Sequence, residues 1–318
     1  MLVRIKASVY IGIFMIIMVT VFTSGCIGEA TLKFHEGLKA AEAKEYDKAI
    51  AAFSRVIEIS PHKFEAYYNR GLAYKFKGNL DEALNDFNEA IRLNSKESAI
   101  FEARGLVYKA KGQLDEALND FNEAISLKPQ SDRGYVGRGL VYKAKGQLDE
   151  AFNDFNEAIS LNPKASYAYA NRGQIYKENG KLDEALSDYN EAIRLNPQDA
   201  IAYNNRGLVY GAKGQLDEAL SDFNEAIRLN PQYASAYNNR ALIYKDKSQF
   251  AAALNDFNEA ICLDPQTASL YKNRGILLSI IGKSAEAIES FKIYLKYETD
   301  GELIQKAKQK IRELEGQV

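Results

Sequence analysis

Histidine and cysteine occur only twice each in this chain of 318 residues. His35 and His62 cannot build a multi-histidine metal centre. Cys26 and Cys262 lie too far apart in sequence to suggest a disulfide framework or a zinc site. Only six prolines occur, and no Gly/Ser-rich or Pro-rich linker interrupts the chain. The formal net charge is −2, without the strong basic footprint of a nucleic-acid binder. No glycine-rich phosphate loop and no nucleophile-elbow pattern is present. These absences argue against an enzyme, and no cofactor, metal, nucleic acid or small-molecule substrate is expected.

What is there begins with an N-terminal address. Arg4 and Lys6 open the chain, and the stretch from Val9 to Phe22 then runs almost wholly apolar. Its length suits a signal-peptide core and falls short of the roughly 20 residues of a spanning helix. Ser24-Gly25-Cys26 resembles the lipobox of bacterial lipoproteins, although Thr23 stands where Leu is usual. The resemblance implies cleavage after residue 25, lipidation of Cys26 and a short linker over 26–29. The alternative is an uncleaved anchor helix running through Ile27. Either reading places the remainder outside the cytoplasm on a membrane. Ile27 is not the Asp that retains some lipoproteins at the inner membrane, so the outer membrane is favoured where a cell has two.

Past residue 29 the sequence repeats. GLVYKAKGQLDEALNDFNEAISL starts at Gly105 and recurs from Gly139, with Phe152 in place of Leu118. A fixed period of this length is the signature of a stacked array. Eight copies tile 30–63, 64–97, 98–131, 132–165, 166–199, 200–233, 234–267 and 268–301. With positions numbered 1 to 34 in each copy, position 8 is Gly in seven copies and Ala241 in the other. Position 20 is always Ala, position 24 always aromatic, and position 32 is Pro in six. Positions 1–14 and 18–31 carry apolar residues at helical spacing. Gly at position 15 suits a left-handed helix end. Asp-Glu at positions 18–19 suits the positive end of a following helix dipole. Gly at position 8 costs about 1 kcal/mol inside a helix relative to Ala, and close packing against the alanines at 20 and 27 is the expected return. Residues 302–318 read as a capping helix, with Leu303, Ile304, Ala307, Ile311 and Leu314 on one face and Thr299 and Glu302 as a capping box.

These marks resemble the tetratricopeptide repeat (TPR) family from residue 30 to residue 301, with Tyr where Trp is frequent at position 4 and Arg where Leu is frequent at position 7. The resemblance implies an all-α fold: a right-handed α-solenoid of eight antiparallel helix-turn-helix hairpins plus the C-terminal capping helix. It also implies that the first helices line a concave groove that holds a protein or peptide.

Two residue rows compete for that role. Arg at position 7 and Asp at position 23 travel together as Arg70 and Asp86, Arg104 and Asp120, Arg138 and Asp154, Arg172 and Asp188, Arg206 and Asp222, and Arg240 and Asp256. They are read as structural ion pairs within each hairpin, because a partly buried Arg needs a bidentate partner. Arg274 faces Ser290 instead. Asn at position 6 recurs as Asn69, Asn171, Asn205, Asn239 and Asn273. This looks like the asparagine ladder of the protein O-linked N-acetylglucosamine transferases. A primary amide offers both donor and acceptor to an extended peptide; bonding to a neighbouring helix or to water is the other reading. Lys75, Lys109, Lys143, Lys177 and Lys245 at position 12 add a basic stripe suited to acidic segments. The carboxylate clamp of some family members is not matched, since position 9 is Leu, Gln or Ile. The transferases carry a catalytic domain after their repeats, and the segment 302–318 is too short to be one. The expected function is a non-catalytic, membrane-tethered scaffold assisting assembly of an envelope complex. A holdase for unfolded chains and a self-assembling array are the alternatives.

Overall fold

The computed structural model describes residues 28–316. Among them are 17 helices and no strand. In chain order they are α1 (Glu29–Glu42), α2 (Tyr46–Ile59), α3 (Phe64–Lys77), α4 (Leu80–Leu93), α5 (Ser98–Ala110), α6 (Leu114–Leu127), α7 (Asp132–Ala144), α8 (Leu148–Leu161), α9 (Ser166–Glu178), α10 (Leu182–Leu195), α11 (Ala200–Ala212), α12 (Leu216–Leu229), α13 (Ala234–Asp246), α14 (Phe250–Leu263), α15 (Ala268–Ile280), α16 (Ser284–Tyr297) and α17 (Gly301–Glu315). The fold is an α-solenoid of helical hairpins. It divides into two compact units, with the boundary between Glu157 and Ala158.

The turn inside each hairpin follows from backbone sterics. Gly78 ends α3 at φ +88°, and Asn79 N–H reaches back to Tyr74 C=O at 3.0 Å. A left-handed residue there satisfies carbonyls that the helix end leaves open. Gly112, Gly146, Gly180, Gly214 and Gly282 repeat this conformation. Lys44 and Ser248 adopt it too, at φ 61° and 59°, without glycine's freedom.

Each hairpin closes on the aromatic at position 24. Phe53, Phe87, Phe121, Phe155, Tyr189, Phe223, Phe257 and Phe291 are all buried. Full burial of such a ring stabilises by about 1.5–3 kcal/mol. The glycine at position 8 faces that ring rather than mainly the alanines. A Cβ added at Gly71 would stand 2.8 Å from Phe87 Cε1, and one at Gly207 would stand 2.8 Å from Phe223 Cε1. Ala241 nonetheless fits above Phe257 in a common cluster with Ala253 and Leu277.

The array continues because hairpins share their cores. Tyr68, Leu72 and Phe87 cluster with Ile100, Ala103 and Val107 of the next hairpin. At the C-terminal end Ile311 and Leu314 cover Phe291, while Ala307 packs with Tyr271 and Tyr294. The cap of α17 is Asp300 rather than Thr299. Its carboxylate accepts Glu302 N–H at 2.9 Å and Leu303 N–H at 3.0 Å, while Glu298 takes the amides of Thr299 and Asp300. With Asp300 as cap the helix starts at Gly301, one residue upstream of the expected boundary.

Candidate functional site

Successive first helices touch within each unit: α1 with α3, α3 with α5 and α5 with α7 in the first, then α9 with α11, α11 with α13 and α13 with α15 in the second. They form a wall on which the position-6 and position-12 side chains recur. The arginine row helps to hold it together. Arg70 Nε and Nη2 donate to Asp86 at 2.8 and 2.7 Å, and Nη1 donates to Ser54 Oγ of the preceding hairpin at 2.9 Å. Arg104, Arg138, Arg172, Arg206 and Arg240 bond Asp120, Asp154, Asp188, Asp222 and Asp256 in the same forked way. Asn88, Asn122, Asn190 and Asn224 are the preceding-hairpin acceptors for Arg104, Arg138, Arg206 and Arg240.

Two rings flank each of these guanidiniums. Arg206 lies 5.5 Å from the Tyr203 centroid and 5.7 Å from that of Tyr210. The bond to Asp222 raises the Arg206 pKa above its ordinary value. Burial pushes the carboxyls of Asp86 and Asp120 upward against the pull of their arginines. Desolvation therefore weighs heavily in these pairs, as expected of buried ions. An arginine stacked and bonded on this many sides is committed to the fold.

A second cross-hairpin bond escaped the sequence reading. Lys145 Nζ donates to Asp115 at 2.5 Å and Lys247 Nζ to Asp217 at 2.6 Å. Lys77–Asp47, Lys111–Asp81 and Lys213–Asp183 form the same link. Each joins position 14 of one hairpin to position 18 of the hairpin before it. The aspartate that begins a second helix thus also marks where the next hairpin docks. The signal was one constant spacing, the same from Asp115 to Lys145 as from Asp217 to Lys247, between charges that are otherwise ordinary on a helical surface.

In the first unit the wall carries lysines and one acid. Lys75, Lys109 and Lys143 are half-buried on α3, α5 and α7. Desolvation lowers Lys75 to about 8 and also lowers Lys109. Lys75 Nζ stands 5.3 Å from the Phe76 ring centroid. Asn69 is buried and donates to Glu65 C=O of its own helix at 2.7 Å. Glu102 on α5 is buried, and desolvation raises its carboxyl to about 7 despite the nearby Arg133 and Lys128.

In the second unit the wall is made of amides. Asn171 Nδ2 donates to Tyr167 C=O at 2.7 Å. Asn239 Nδ2 donates to Asn204 Oδ1 at 2.9 Å, and Asn273 Nδ2 to Asn238 Oδ1 at 2.9 Å. Asn238 in turn donates to Asn239 at 3.3 Å. Four amides on α11, α13 and α15 thereby form one directional chain. Asn205 sits half-buried beside it, and its side chain makes no hydrogen bond to a described residue. Burial lowers Lys177, while Lys245 pairs with Asp246 at 3.3 Å. Ile276 and Ile280 continue this face of α15 as exposed apolar side chains. Asn204 and Asn238, one position before the expected row, were missed because the second member of each Asn-Asn pair alone matched the ladder.

Cys26 and the rest of the expected leader lie outside the described residues. Cys262 is exposed and unpaired. Among the described residues no His, Cys, Asp or Glu cluster is arranged to hold a metal, and no helix is long and apolar enough to cross a membrane.

The TPR repeat model matches 37–78, 105–146, 139–180 and 173–214, and the tetratricopeptide repeat model matches 64–97, 200–233 and 234–267. The chain belongs to the tetratricopeptide repeat family. No curated protein matches it by sequence. Among solved TPR-like structures, the Cut9–Hcn1 hetero-tetramer of the APC/C superimposes with a TM-score of 0.71 at 17% identity, over 89% of this chain and 55% of the other. The chain thus spans about half the length of that relative. Yeast Tom70 gives 0.61 at 19% identity, over 94% and 66%. A tetratricopeptide repeat protein from Parabacteroides merdae gives 0.60 at 23%, over 78% and 98%. At these identities the likeness is one of fold. TPR arrays bind protein or peptide partners.

Proposed function

We propose that this TPR chain is a non-catalytic scaffold that holds an extended peptide segment of a partner along the first helices of its second unit. The observation that carries the reading is the amide row on α11, α13 and α15, with Asn205 unbonded beside it. Each side-chain amide has two N–H groups and two lone pairs. One N–H of Asn239 and one of Asn273 are spent on the neighbouring hairpin and Asn204 is buried, so the half-buried Asn205, Asn239 and Asn273 carry the groups left for a peptide backbone. Such bonds net only about 0.5–1.5 kcal/mol each, so affinity comes from the row and carries little sequence preference. Separately, the half-buried lysines of the first unit suit an acidic segment of a partner. We further propose that lipidation at Cys26 tethers the scaffold outside the cytoplasm, where it assists assembly of an envelope complex.

Asn205→Ala separates grip from fold, because that amide supports no other residue. Binding of an unfolded peptide should weaken about two- to tenfold, with the melting temperature unchanged. Equal affinity for wild type and variant would dismiss the row as a grip. Cross-linking from position 205 in cells distinguishes one stoichiometric folded partner, the adaptor outcome, from many unrelated clients, the holdase outcome. Metabolic labelling with a fatty acid should mark the wild type and spare Cys26→Ala; no label on the wild type removes the tether.

A further inference from the structure

The last hairpin breaks the arginine pattern. Arg274 stands at position 7 like its six bonded counterparts, but Ser290 replaces the aspartate and Leu278 replaces the second flanking ring. Arg274 Nε donates to Ser290 Oγ at 3.1 Å, and Nη1 donates to Asn258 Oδ1 at 3.2 Å. Tyr271 remains on one side, 5.7 Å from the guanidinium. The third edge, Nη2, meets an aspartate oxygen in the other hairpins and has no acceptor here among the described residues.

Serine is shorter than aspartate, and a cavity of about 200 Å³ opens at this point, between α14, α15 and α16. Its apolar sides are Leu254 and Leu278. Two acids at the rim, Glu286 and Glu289, are exposed, so the cavity reaches solvent. Lys283 neutralises Glu286 at 2.8 Å, which leaves Glu289 as the charge an entering group meets.

We propose that this cavity is a binding site for a monocarboxylate on a short aliphatic stem, seated on the open Nη2 edge of Arg274. The forked guanidinium matches a carboxylate plane. Leu254 and Leu278 accept the stem. Glu289 disfavours ions of higher charge, so the site selects a monocarboxylate over phosphate or sulfate. The site is lined from α14, α15 and α16 without any amide of the wall, and does not depend on the peptide reading. The carboxylate can come as a free small acid or as the C-terminus or acidic side chain of a partner.

The internal control is Ser290→Asp, which installs the missing carboxylate and should fold at least as well as wild type. Butyrate is titrated into full-length protein at fixed ionic strength while the 15N signal of Arg274 Nε is followed. Wild type should show a saturable shift that phosphate does not reproduce. Ser290→Asp should weaken butyrate binding at least tenfold, worth about 1.4 kcal/mol, and Ser290→Ala should retain it. A shift that survives Ser290→Asp, an equal response to phosphate, or no saturation in wild type each overturns the proposal. A C-terminally free peptide ending in alanine, compared with its amide and with butyrate, separates the two sources. Tighter binding of the free peptide than of butyrate assigns the site to a partner chain, and equal occupation by butyrate assigns it to a small acid.

Discussion

Arg206 holds two hairpins at once, with Nε and Nη2 on Asp222 and Nη1 on Asn190 of the hairpin before. The side chains are 18% and 6% exposed, so the pair is shielded from solvent. Asp222→Ala strands a buried guanidinium and should cost about 3–5 kcal/mol in urea unfolding. Arg206→Met with Asp222→Leu should recover most of that loss, because an apolar pair of similar volume needs no desolvation. A double variant as unstable as the single one would show that the bond to Asn190 matters more than the ion pair.

The outer lysine link makes a useful contrast. Asp183 bonds Lys213 yet stays 84% exposed. Exposed pairs contribute about 0–1 kcal/mol and are screened by salt. Asp183→Ala should therefore change the urea midpoint little, and less still in high salt. A loss comparable with that of Asp222→Ala would overturn this ranking.

Tyr189 is the single tyrosine at position 24, and its fully buried hydroxyl makes no hydrogen bond. Burial pushes its pKa well above the ordinary phenol value. Removing an unsatisfied buried hydroxyl should stabilise by about 1–3 kcal/mol. Tyr189→Phe is thus expected to raise the melting temperature, and a lower one would mean that the hydroxyl is solvated.

Ser248 and Lys44 occupy the left-handed turn that glycine fills in the other hairpins. The left-handed conformation costs an L-residue about 1–2 kcal/mol, and glycine returns about 0.4–1 kcal/mol of that through its greater freedom when unfolded. Ser248→Gly and Lys44→Gly should each stabilise modestly, and their effects should add across the distance between them. Thermal melts of the two singles and the double check this.

Stability should dip near neutral pH. Glu102 has its carboxyl raised from 4.5 to about 7, so between those values the unfolded chain releases its proton first. Unfolding then grows more favourable as pH rises, and the stability present below pH 4.5 is lost by pH 7, up to about 3 kcal/mol. Lys75, lowered from 10.5 to about 8, acts in the opposite sense at higher pH. The unfolded chain holds its proton longer, so stability recovers as pH climbs from 8 towards 10.5. Glu102→Gln should flatten the acid limb and leave the alkaline one. An unchanged acid limb would place the titration elsewhere.

The features legible in the sequence are those that recur within one period. Arg206 and Asp222 return together in hairpin after hairpin, as do the turn glycine and the aromatic at position 24. The features that were not legible cross from one hairpin to the next. Lys213 and Asp183 are ordinary surface charges until stacking brings them together. Asn239 reaching Asn204 needs the angle between successive first helices, which no one-dimensional pattern states. The contact between Gly71 and Phe87 lies within one hairpin, yet glycine has no side chain to show what it faces. Thr299 looked like a cap because its spacing to Glu302 fits, but the backbone puts Asp300 at the start of α17.

Because Arg104 takes one partner from its own hairpin and one from the hairpin before, the number of hairpins can change without leaving a bond open. Removing residues 105–138 would join Arg104 directly to Gly139 in an almost identical sequence. Arg104 would keep Asn88 and meet Asp154 in place of Asp120, and Lys145 would fall opposite Asp81. Loss or gain of one whole period would shorten or lengthen this molecule by whole hairpins, and each product would inherit complete joints.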